Sequence, residues 1–402
     1  MPTGLSRLRV KNYRSLADVE LPLAPINVFF GPNGAGKSTL LDTVWFIRGC
    51  ALRSVPLASA DRDHGIGLLF DGAEEGSSIA LGLQTDRVEY ELTLQFSAGR
   101  IEPFAGERLY SRVLDRVLID RRPGATKADF CHVSFDYKMY PIELREPEKL
   151  SLPRYLDFTS SEEATELDRV LHYVRLYHSR SFDLYGLKEH GSPSGYETWV
   201  WPRGENLWSV LRNLEGRRRL DDRYETIMRF MAACFPHSFD GIVIEPTSPT
   251  TLYARFLEKG RSREILASGV SDGHLQMLIL LTALFSDGRD RYSMLLIDEP
   301  ETSLHPWALA VLAKAIQHAA GSWGKQILLA THSPVLISQF DPEETLTIES
   351  REGRANLARL SEIPGIQDLL EQYATGTLYM SELIAGQSQP ESPSPQVGGI
   401  AR

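Results

Sequence analysis

The residues whose chemistry can be read most directly lie at positions 31–39, where the sequence is G-P-N-G-A-G-K-S-T. The first eight of them fit G-x-x-x-x-G-K-S, the pattern of a phosphate-binding loop. In such a loop, inward-facing backbone N–H groups and the positive end of the following helix bind an anion. Lys37 would place its charge on the β- and γ-phosphates, and the Ser38 hydroxyl would bind Mg²⁺. The pattern therefore predicts a site for a magnesium nucleotide.

A pair of acidic residues, Asp298 and Glu299, follows a continuously apolar run at residues 294–297. Such a run is typical of a strand that is covered on both faces, and open parallel sheets carry their chemistry at the carboxyl ends of these strands. From there, Asp298 can bind Mg²⁺ on the side opposite Ser38, while Glu299 can accept a proton from the attacking water or orient it. The pair is therefore predicted to be catalytic.

A second predicted strand, at residues 326–330, is also followed by polar side chains, in the sequence T-H-S-P at 331–334. A histidine at a strand end beside a nucleotide can donate a hydrogen bond to the γ-phosphate. Because the carboxyl ends of neighbouring parallel strands meet at one edge of a sheet, His332 is predicted to lie in the same site as Asp298 and Glu299.

Another anion-binding segment is predicted at residues 271–273, Ser-Asp-Gly, just before the almost wholly apolar helix at 275–285. Ser271 and Gly273 would lie at the N-terminus of that helix, where backbone N–H groups and the helix dipole favour negative charge. On its own this pattern says little, because many helices begin with a capping residue and a glycine. Its position in the chain, shortly before Asp298, is what supports an anion-binding role for this segment.

Alternating strands and helices are predicted to position these motifs. A short apolar strand at 26–30 leads into the phosphate loop, and a helix that ends near Gly49 follows it. A helix from Pro306 to Ala320 connects the strands that precede Asp298 and His332. The hydrophobic pattern predicts further elements elsewhere: strands at 5–10 and 16–23, an alternating antiparallel pattern at 77–96, a helix that runs from a capping box at Ser160 and Glu163 to Tyr177, helices at 205–214 and 221–235, and a hairpin at 241–245 and 251–258.

Composition limits the location and the partners of the protein. Of the 402 residues, 42% are hydrophobic, and no apolar run approaches the roughly 20 residues of a membrane span. The start lacks the apolar core of a signal peptide, so we expect a cytoplasmic protein with no membrane partner. The net charge of −10 argues against a protein that coats DNA, although arginines at 112–122 and 217–219 make a local DNA contact possible. Three distant cysteines, Cys50, Cys131 and Cys234, predict neither disulfides nor zinc.

The motifs follow the order found in ATP-binding-cassette-type ATPases, which the chain therefore resembles. That order is the phosphate loop, S-D-G at 271–273, L-L-I-D-E-P at 295–300, S-L-H-P at 303–306 and T-H-S-P at 331–334. Within that group, N-Y-R-S at 12–15 and D-E-P-E-T-S-L-H-P at 298–306 resemble AAA-domain ATPases of the branch that includes OLD-type nucleases, RecF-type recombination mediators and chromosome-maintenance ATPases. The likeness extends to about residue 386, with specific motifs in both ATPase segments and vague ones between them.

The resemblance implies a composite site that is formed by two copies of the chain. One copy would hold the phosphates and Mg²⁺ near Asp298, Glu299 and His332, while Ser271 and Gly273 of the other copy would contact the γ-phosphate. ATP would thus join two protomers into a homodimer. The implied site residues are Glu299, His332 and Lys37 for catalysis; Arg14, Asn33, Gly34, Gly36, Lys37, Ser38, Thr39, Ser271 and Gly273 for nucleotide binding; and Ser38 and Asp298 for the metal.

Three features of the family are less well defined in this sequence. Ser303 would lie in the loop that connects the two nucleotide sites. The glutamine that links Mg²⁺ to the helical lobe has no unambiguous counterpart, and Gln84 and Gln95 are both candidates. The segment at 271–273 also lacks the double glycine of transporters, because Asp272 stands in its middle.

The implied fold is an α/β P-loop NTPase of ATP-binding-cassette type, in which a mixed sheet core carries an antiparallel β subdomain and a helical insertion lobe. We expect the first part of the ATPase lobe, with the phosphate loop, at residues 1–100 and a mostly helical insertion lobe at 101–259. The second part, with S-D-G, the acidic strand and His332, would follow at 260–386. Residues 387–402 are rich in Ser, Pro, Gly and Gln and are predicted to be a disordered tail.

The resemblance implies an ATPase that acts as an ATP-gated dimeric switch. ATP binding would close the dimer, hydrolysis to ADP and phosphate through Glu299 would open it, and a separate effector protein would read its state. OLD-type nucleases carry a nuclease domain after the ATPase, but only about 70 residues follow His332, too few for such a domain. No Asp-x-Asp pair occurs among those residues either. We therefore expect any nuclease to be a separate protein, and the resemblance suggests a role in anti-phage defence.

Two alternative functions stay open from the sequence. The first is a RecF-like DNA-repair or recombination ATPase, although the acidic strand of that group usually ends in Asp-Asp rather than Asp-Glu. DNA-stimulated ATPase activity that is lost steeply with added salt would favour it. The second is the ATPase subunit of a membrane transporter. The L-H-P continuation at 304–306 and the large insertion argue against this alternative.

Overall fold

Two large sheets with different strand orders form the framework of the computed structural model, which describes residues 4–289 and 291–385. The predicted disordered tail at 387–402 lies outside the described residues. No helix in the described part of the chain has both the length and the apolar character needed to cross a bilayer.

The strands range from two-residue pairings to ladders of ten residues. In chain order they are β1 (Arg7–Tyr13), β2 (Leu16–Pro22), β3 (Ile26–Phe30), β4 (Ile79–Gln84), β5 (Val88–Leu94), β6 (Phe96–Ser97), β7 (Arg100–Ile101), β8 (Gly106–Ser111), β9 (Arg116–Arg121), β10 (Lys127–Cys131), β11 (Met139–Glu143), β12 (Val174–His178), β13 (Ser192–Pro193), β14 (Phe239–Ser248), β15 (Thr251–Glu258), β16 (Ile265–Leu266), β17 (Ser293–Asp298), β18 (Lys325–Ala330), β19 (Thr345–Arg351) and β20 (Arg354–Arg359).

The helices are concentrated in the second half of the chain. In chain order they are α1 (Lys37–Leu52), α2 (Val55–Ala60), α3 (Ser151–Phe158), α4 (Glu162–His172), α5 (Leu184–Glu189), α6 (Leu207–Gly216), α7 (Arg223–Cys234), α8 (Asp272–Phe285), α9 (Pro306–Trp323), α10 (Pro334–Ile337), α11 (Ile366–Leu370) and α12 (Thr375–Met380).

The central sheet has, within the described residues, six strands in the order β12-β17-β18-β3-β19-β20. Neighbouring strands from β12 to β19 are parallel, and β20 pairs antiparallel with β19 at one edge. Strands β3, β17 and β18 are buried along their whole length, because both faces of the sheet are covered. Leu295 and Ile297 belong to the core that includes α8 and α9, whereas Met294 and Leu296 belong to the core that includes α1.

The second sheet is antiparallel and shares a core with α1. Its eight strands among the described residues follow the order β11-β10-β9-β8-β5-β4-β1-β2. In β5, Val88, Tyr90, Leu92 and Leu94 are buried and the residues between them are not, as the alternating sequence predicts. Strands β8 to β11 continue this sheet on the far side of the predicted boundary between residues 100 and 101. As a domain boundary, that position stays a prediction.

A group of helices and four strands lies in sequence between β12 and β17 in the described part of the chain. The strands β14 and β15 form the predicted hairpin, and β13 and β16 pair with β15. Helix α8 is buried at every position from Leu275 to Phe285, which accounts for its continuously apolar sequence. The S-D-G segment forms the N-cap and the first residues of this helix, so packing of the apolar residues fixes where Ser271 and Gly273 lie.

The helix predicted from Ser160 to Tyr177 is shorter in the structure. Ser161, not Ser160, caps α4, and its side chain accepts a hydrogen bond from the backbone of the third residue after it. The helix ends at His172, and the residues that follow form β12, which pairs with the buried strand β17. Tertiary pairing with a buried strand therefore outweighs the helical spacing of the apolar residues.

Candidate nucleotide-binding site

The phosphate loop connects β3 to α1 at the carboxyl edge of the central sheet. Gly31 and Gly36 have backbone φ angles of 148° and 110°, in a region that L side chains rarely adopt. A Cβ atom at Gly31 would overlap the carbonyl oxygen of Ile348, and one at Gly36 would lie 2.9 Å from Ser15 Oγ. Neighbours on β19 and in the β1–β2 turn therefore define the path of the loop.

Lys37, the first residue of α1, is buried beneath this loop. Its Nζ donates hydrogen bonds to the carbonyl oxygens of Gly31 and Pro32, both at 2.8 Å. Burial lowers the pKa of Lys37 to about 8, although three nearby carboxylates act in the opposite direction. A phosphate that replaced the two carbonyl oxygens would meet a partly desolvated ammonium group, which attracts anions more strongly than one in water.

Ser38 and Asp298 meet at the start of α1. Ser38 Oγ donates a hydrogen bond to Asp298 Oδ1 at 3.1 Å. Burial raises the pKa of Asp298, while the Ser38 hydroxyl and nearby His178 lower it. A hydroxyl and a carboxylate side by side suit Mg²⁺, which takes its remaining ligands from substrate phosphates and water. No cluster of three or more His, Cys, Asp or Glu side chains that could hold a metal occurs in the described ranges.

Glu299 is held between two basic side chains. Its Oε2 forms an ion pair with Arg180 Nε at 2.7 Å, and its Oε1 lies 3.8 Å from His332 Nε2. The backbone of Glu299 is left-handed, with a φ of 50°, and its N–H donates to the carbonyl oxygen of Ala330 at 2.9 Å. This conformation costs a non-glycine residue about 1–2 kcal/mol, so pairing with the neighbouring strand holds Glu299 in a strained position.

Glu301 anchors the segment that carries His332. Its Oε1 accepts a hydrogen bond from the His332 N–H at 2.6 Å, and its Oε2 accepts one from the Thr331 hydroxyl at 2.9 Å. Burial lowers the pKa of His332, and the charge of Lys37 lowers it further. The ring is therefore mostly neutral at pH 7 and can donate one N–H to a neighbouring oxygen.

We predict that Glu301→Gln destabilises the protein. The neutral amide loses the charge-assisted character of both hydrogen bonds. Its oxygen can accept from the His332 N–H, but its NH₂ group can bond to Thr331 only if that hydroxyl, which already accepts from the Ser333 N–H at 3.0 Å, turns round and accepts again. The free energy of unfolding should fall by about 1–3 kcal/mol in urea denaturation. The matched control is Glu349→Gln, because Glu349 makes a surface ion pair with the exposed Arg351 at 2.9 Å. An unchanged unfolding midpoint for Glu301→Gln would contradict the anchoring role.

The Ser-Asp-Gly segment begins α8 and touches the loop that follows Glu299. Ser271 is exposed, and its Oγ lies 2.7 Å from Nδ1 of His274. A Cβ atom at Gly273 would lie 2.6 Å from the Ser303 carbonyl oxygen, so only glycine fits at this approach. Among the residues that the structure describes, no hydrogen bond or ion pair joins Ser271 or Gly273 to the phosphate loop of the same chain.

The remaining predicted residues lie at different places relative to the cluster of Lys37, Ser38, Asp298, Glu299 and His332. Arg14 lies in the β1–β2 turn with a φ of 51°, and its Nη1 is 3.5 Å from a carboxylate of α1. Within the phosphate loop, Asn33 and Gly34 are exposed. Gln84 ends β4 in the antiparallel sheet, and Gln95 is exposed after β5. In the described part of the chain, neither glutamine side chain is hydrogen-bonded to the site, so the choice between them stays open.

The sequence does not single out four residues of the site: His178, Arg180, Glu301 and Tyr379. His178 Nδ1 lies 3.5 Å from Asp298 Oδ2, because β12 pairs with β17 in a register that puts the two residues side by side. Residues 174–178 are followed by S-R-S at 179–181, but the helical spacing of the apolar residues up to Tyr177 hides this strand end from a reading of the sequence. Nothing in the sequence points to Tyr379, whose hydroxyl donates to the Gly31 carbonyl oxygen at 3.1 Å.

A family model matches most of the chain, and individual relatives match short segments of it. The family model described as "AAA domain, putative AbiEii toxin, Type IV TA system" matches residues 26–338. An OLD nuclease from Thermus scotoductus is 51% identical over 45 residues, which cover 11% of this chain and 8% of that protein. A DNA replication and repair protein RecF from Bacteroides fragilis is 43% identical over 61 residues, which cover 15% of this chain and 16% of that protein. The matched segments are thus a small part of either relative.

Solved structures match over nearly the whole chain, at low sequence identity. One is the Smc head domain with an extended coiled coil, bound to the C-terminal domain of ScpA and derived from Pyrococcus furiosus. Its TM-score is 0.49 at 13% identity, and the match covers 92% of this chain and 100% of that one. The SMC head domain from Thermotoga maritima has a TM-score of 0.40, also at 13% identity, with 89% and 98% of the two chains covered.

Proposed function

Because the chain belongs to this AAA domain family, we propose that it hydrolyses ATP and acts as an ATP-gated dimeric switch. The resemblance to the OLD- and RecF-like branch is confirmed by the family match and by both relatives. The fold is that of α/β P-loop ATPases of ATP-binding-cassette type, with a mixed sheet core and an antiparallel sheet. The observation that carries the proposal is the meeting of Ser38 with Asp298, next to Glu299 and above the buried Lys37.

The proposed chemistry assigns a separate task to each side chain. Lys37 would exchange its carbonyl partners for the β- and γ-phosphates. Ser38 and Asp298 would hold Mg²⁺, which supplies positive charge to the phosphate oxygens. Glu299 would orient the attacking water and accept its proton. The neutral ring of His332 would donate a hydrogen bond to a γ-phosphate oxygen, where negative charge accumulates in the reaction.

The dimer is proposed because Ser271 is exposed and, within the described residues, no hydrogen bond joins it to the phosphate loop of its own chain. It is exposed at the start of α8, where a helix N-terminus favours an anion. In a two-fold dimer, each copy would offer this segment to the nucleotide on the other, so the two contacts form together. ATP would then hold the dimer closed until Glu299 promotes its hydrolysis.

We expect two inactive variants to restore each other when they are mixed. Ser271→Asp keeps a residue that caps helices well but turns a negative charge towards the γ-phosphate on the other copy, so turnover should be lost. Lys37→Ala should be inactive because it cannot hold the phosphates. A mixed dimer combines Lys37 of one copy with Ser271 of the other, and phosphate release should return to about a quarter of the wild-type rate if pairing is random.

Each variant alone, at the same total concentration, is the control for this mixture. Ser271→Asp should still bind ADP, because its own phosphate loop is intact, and that measurement shows that the variant is folded. Full activity of Ser271→Asp alone would contradict a role for this segment at the nucleotide. No recovery of phosphate release in the mixture would contradict the shared site.

We also propose that a separate effector protein reads the closed dimer, with a nuclease in anti-phage defence as the candidate class. In support, the relative from Thermus scotoductus is a nuclease, and the family description names a toxin. The test is capture from cells of the source organism with Mg-ATP, using Glu299→Gln as bait and Lys37→Ala as its matched control. A protein retained by the first bait and not by the second would be the effector, and identical retention would contradict the switch.

A second candidate function is a RecF-like ATPase that binds DNA, which the 43% identity to RecF over 61 residues favours. Under this function, duplex DNA should stimulate ATP hydrolysis. Stimulation should fall steeply between low and physiological salt, because contacts to phosphates release counterions. Equal phosphate release with and without DNA at low salt would exclude this alternative and leave the protein effector.

A further inference from the structure

Arg180 lies just after β12, the edge strand of the central sheet, and just before α5. Strand β12 ends at His178, which is side by side with Asp298 in the parallel register, and Arg180 follows in the short 3₁₀ turn Ser179–Ser181. This position places the guanidinium against the candidate general base, with Arg180 Nε 2.7 Å from Glu299 Oε2. Arg180 therefore reaches the cluster from a strand that carries none of the motifs described above.

The surroundings of Glu299 place Arg180 close to the phosphate position. The two carboxylate oxygens of Glu299 face different side chains. Oε2 pairs with Arg180, whereas Oε1 lies 3.8 Å from His332 Nε2. After burial, the charges of Lys37 and Arg180 both contribute to the lowered pKa of His332. The guanidinium of Arg180 and the imidazole of His332 thus lie at the two oxygens of one carboxylate, and the charge of Lys37 acts on the same imidazole.

The ion pair between Arg180 and Glu299 is easily exchanged for another. The Arg180 side chain is 67% exposed, and pairs of this kind contribute only about 0–1 kcal/mol. A cavity of about 490 Å³ lies beside it, lined in part by Ser179, Gln276 and Ser303. The arginine therefore has room to turn, and little free energy holds it against the carboxylate.

We propose that Arg180 contacts the γ-phosphate of the ATP bound to its own chain and is a catalytic residue for hydrolysis, an inference that rests on the proposed function. A phosphate offers several charged oxygens to the planar guanidinium, which can donate two parallel hydrogen bonds to it. Transfer of Arg180 from Glu299 to the phosphate leaves the carboxylate free for the water.

The reaction then balances as follows in terms of bonds and protons. Water oxygen forms a bond to the γ-phosphorus and gives a proton to Glu299. The bond between the γ-phosphorus and the bridging oxygen breaks, and ADP leaves with its electron pair. Negative charge that spreads over the γ-phosphoryl oxygens during this step is stabilised by Arg180, in the way that arginine fingers act in other nucleotide hydrolases.

The test compares Arg180→Ala and Arg180→Lys with Arg203→Ala. Arg203 is a matched control because it lines the same cavity, is 61% exposed and lies 3.9 Å from Glu205. Arg180→Ala should lower kcat by about 100- to 1,000-fold, as expected for the loss of one donor to the developing negative charge, whereas Arg180→Lys keeps the charge and should lose less. Affinity for ADP should be unchanged in all three variants. Affinity for ADP with aluminium fluoride should fall at least about tenfold in Arg180→Ala and not in Arg203→Ala.

The outcomes separate the role of Arg180 from the proposed function. Phosphate release by Arg180→Ala at or above the wild-type rate would overturn the assignment, because Arg180 would then restrain Glu299 rather than assist it. Slower release with unchanged affinity for ADP and aluminium fluoride would also overturn it. A wild-type protein that releases no phosphate would instead overturn the proposed function, and the assignment of Arg180 would fall with it.

Discussion

Glu299→Gln is expected to lower ATP turnover by about 1,000-fold, within the range that a general base contributes, and to trap an ATP-bound dimer. The amide keeps the size of the side chain but cannot accept a proton from water. Lys37 and Ser38, which are proposed to hold the phosphates and Mg²⁺, are unchanged, so ATP should still bind. Phosphate release measures the first effect, and light scattering of the protein with and without saturating Mg-ATP measures the second.

Glu349→Gln controls for the loss of one carboxylate from the same protein. Both glutamates are partly buried, at 17% and 28% exposed, and each is paired with a largely exposed arginine. Because Glu349 lies on β19 away from Asp298, its variant should hydrolyse ATP at the wild-type rate. A monomeric Glu299→Gln protein in saturating Mg-ATP would rule out the gated dimer, and wild-type phosphate release would rule out the assigned base.

Lys37→Ala should weaken ATP binding by about 100-fold or more, since hydrogen bonds from a charged group contribute about 1.5–3 kcal/mol each. Dimerisation by ATP should be lost with it, because an empty phosphate loop leaves nothing for the other copy to contact. Isothermal titration with ATP measures the affinity, and light scattering measures the assembly. The Gly31 carbonyl oxygen keeps its hydrogen bond from Tyr379, so the loop retains one of its supports.

Lys325→Ala is a close control for this change. Lys325 is as buried as Lys37, burial lowers its pKa to about 8 as well, and its Nζ also donates to backbone carbonyl oxygens. It begins β18, about 16 Å along the strand from the carboxyl edge where the site lies. Lys325→Ala should therefore lose stability but bind ATP normally. Unchanged ATP affinity in Lys37→Ala would contradict the role of the phosphate loop.

The parts of the fold that the sequence predicts are those where local pattern and tertiary environment agree. The apolar runs at β3, β17 and β18 are buried on both faces, and each ends beside polar residues that meet at one edge. The hairpin at β14 and β15 and the helix that Pro306 opens also lie where the pattern predicts them. In each of these segments, burial requires the same periodicity that the sequence displays.

The rest of the site depends on contacts that no local pattern encodes. The helical spacing up to Tyr177 conceals β12, and with it His178 and Arg180, because a strand at the sheet edge is defined by its partner. Glu301 follows a recognised acidic pair, but its role comes from a hydrogen bond to a segment 31 residues further along the chain. Tyr379 meets Gly31 across 348 residues. Distances of this kind are properties of the folded chain alone.

The close approach of Gly273 to the Ser303 carbonyl oxygen leaves no room even for a methyl group. In the proposed dimer, the loop with Ser303 follows the carboxylates that serve one ATP, whereas the helix with Gly273 serves the other. Because these two pieces of one protomer are packed in contact, a shift of the loop after cleavage of the first ATP would be passed to the helix that contacts the second. The two pockets of the dimer would then be coupled, so that hydrolysis in one weakens the contact that the dimer makes with the nucleotide in the other.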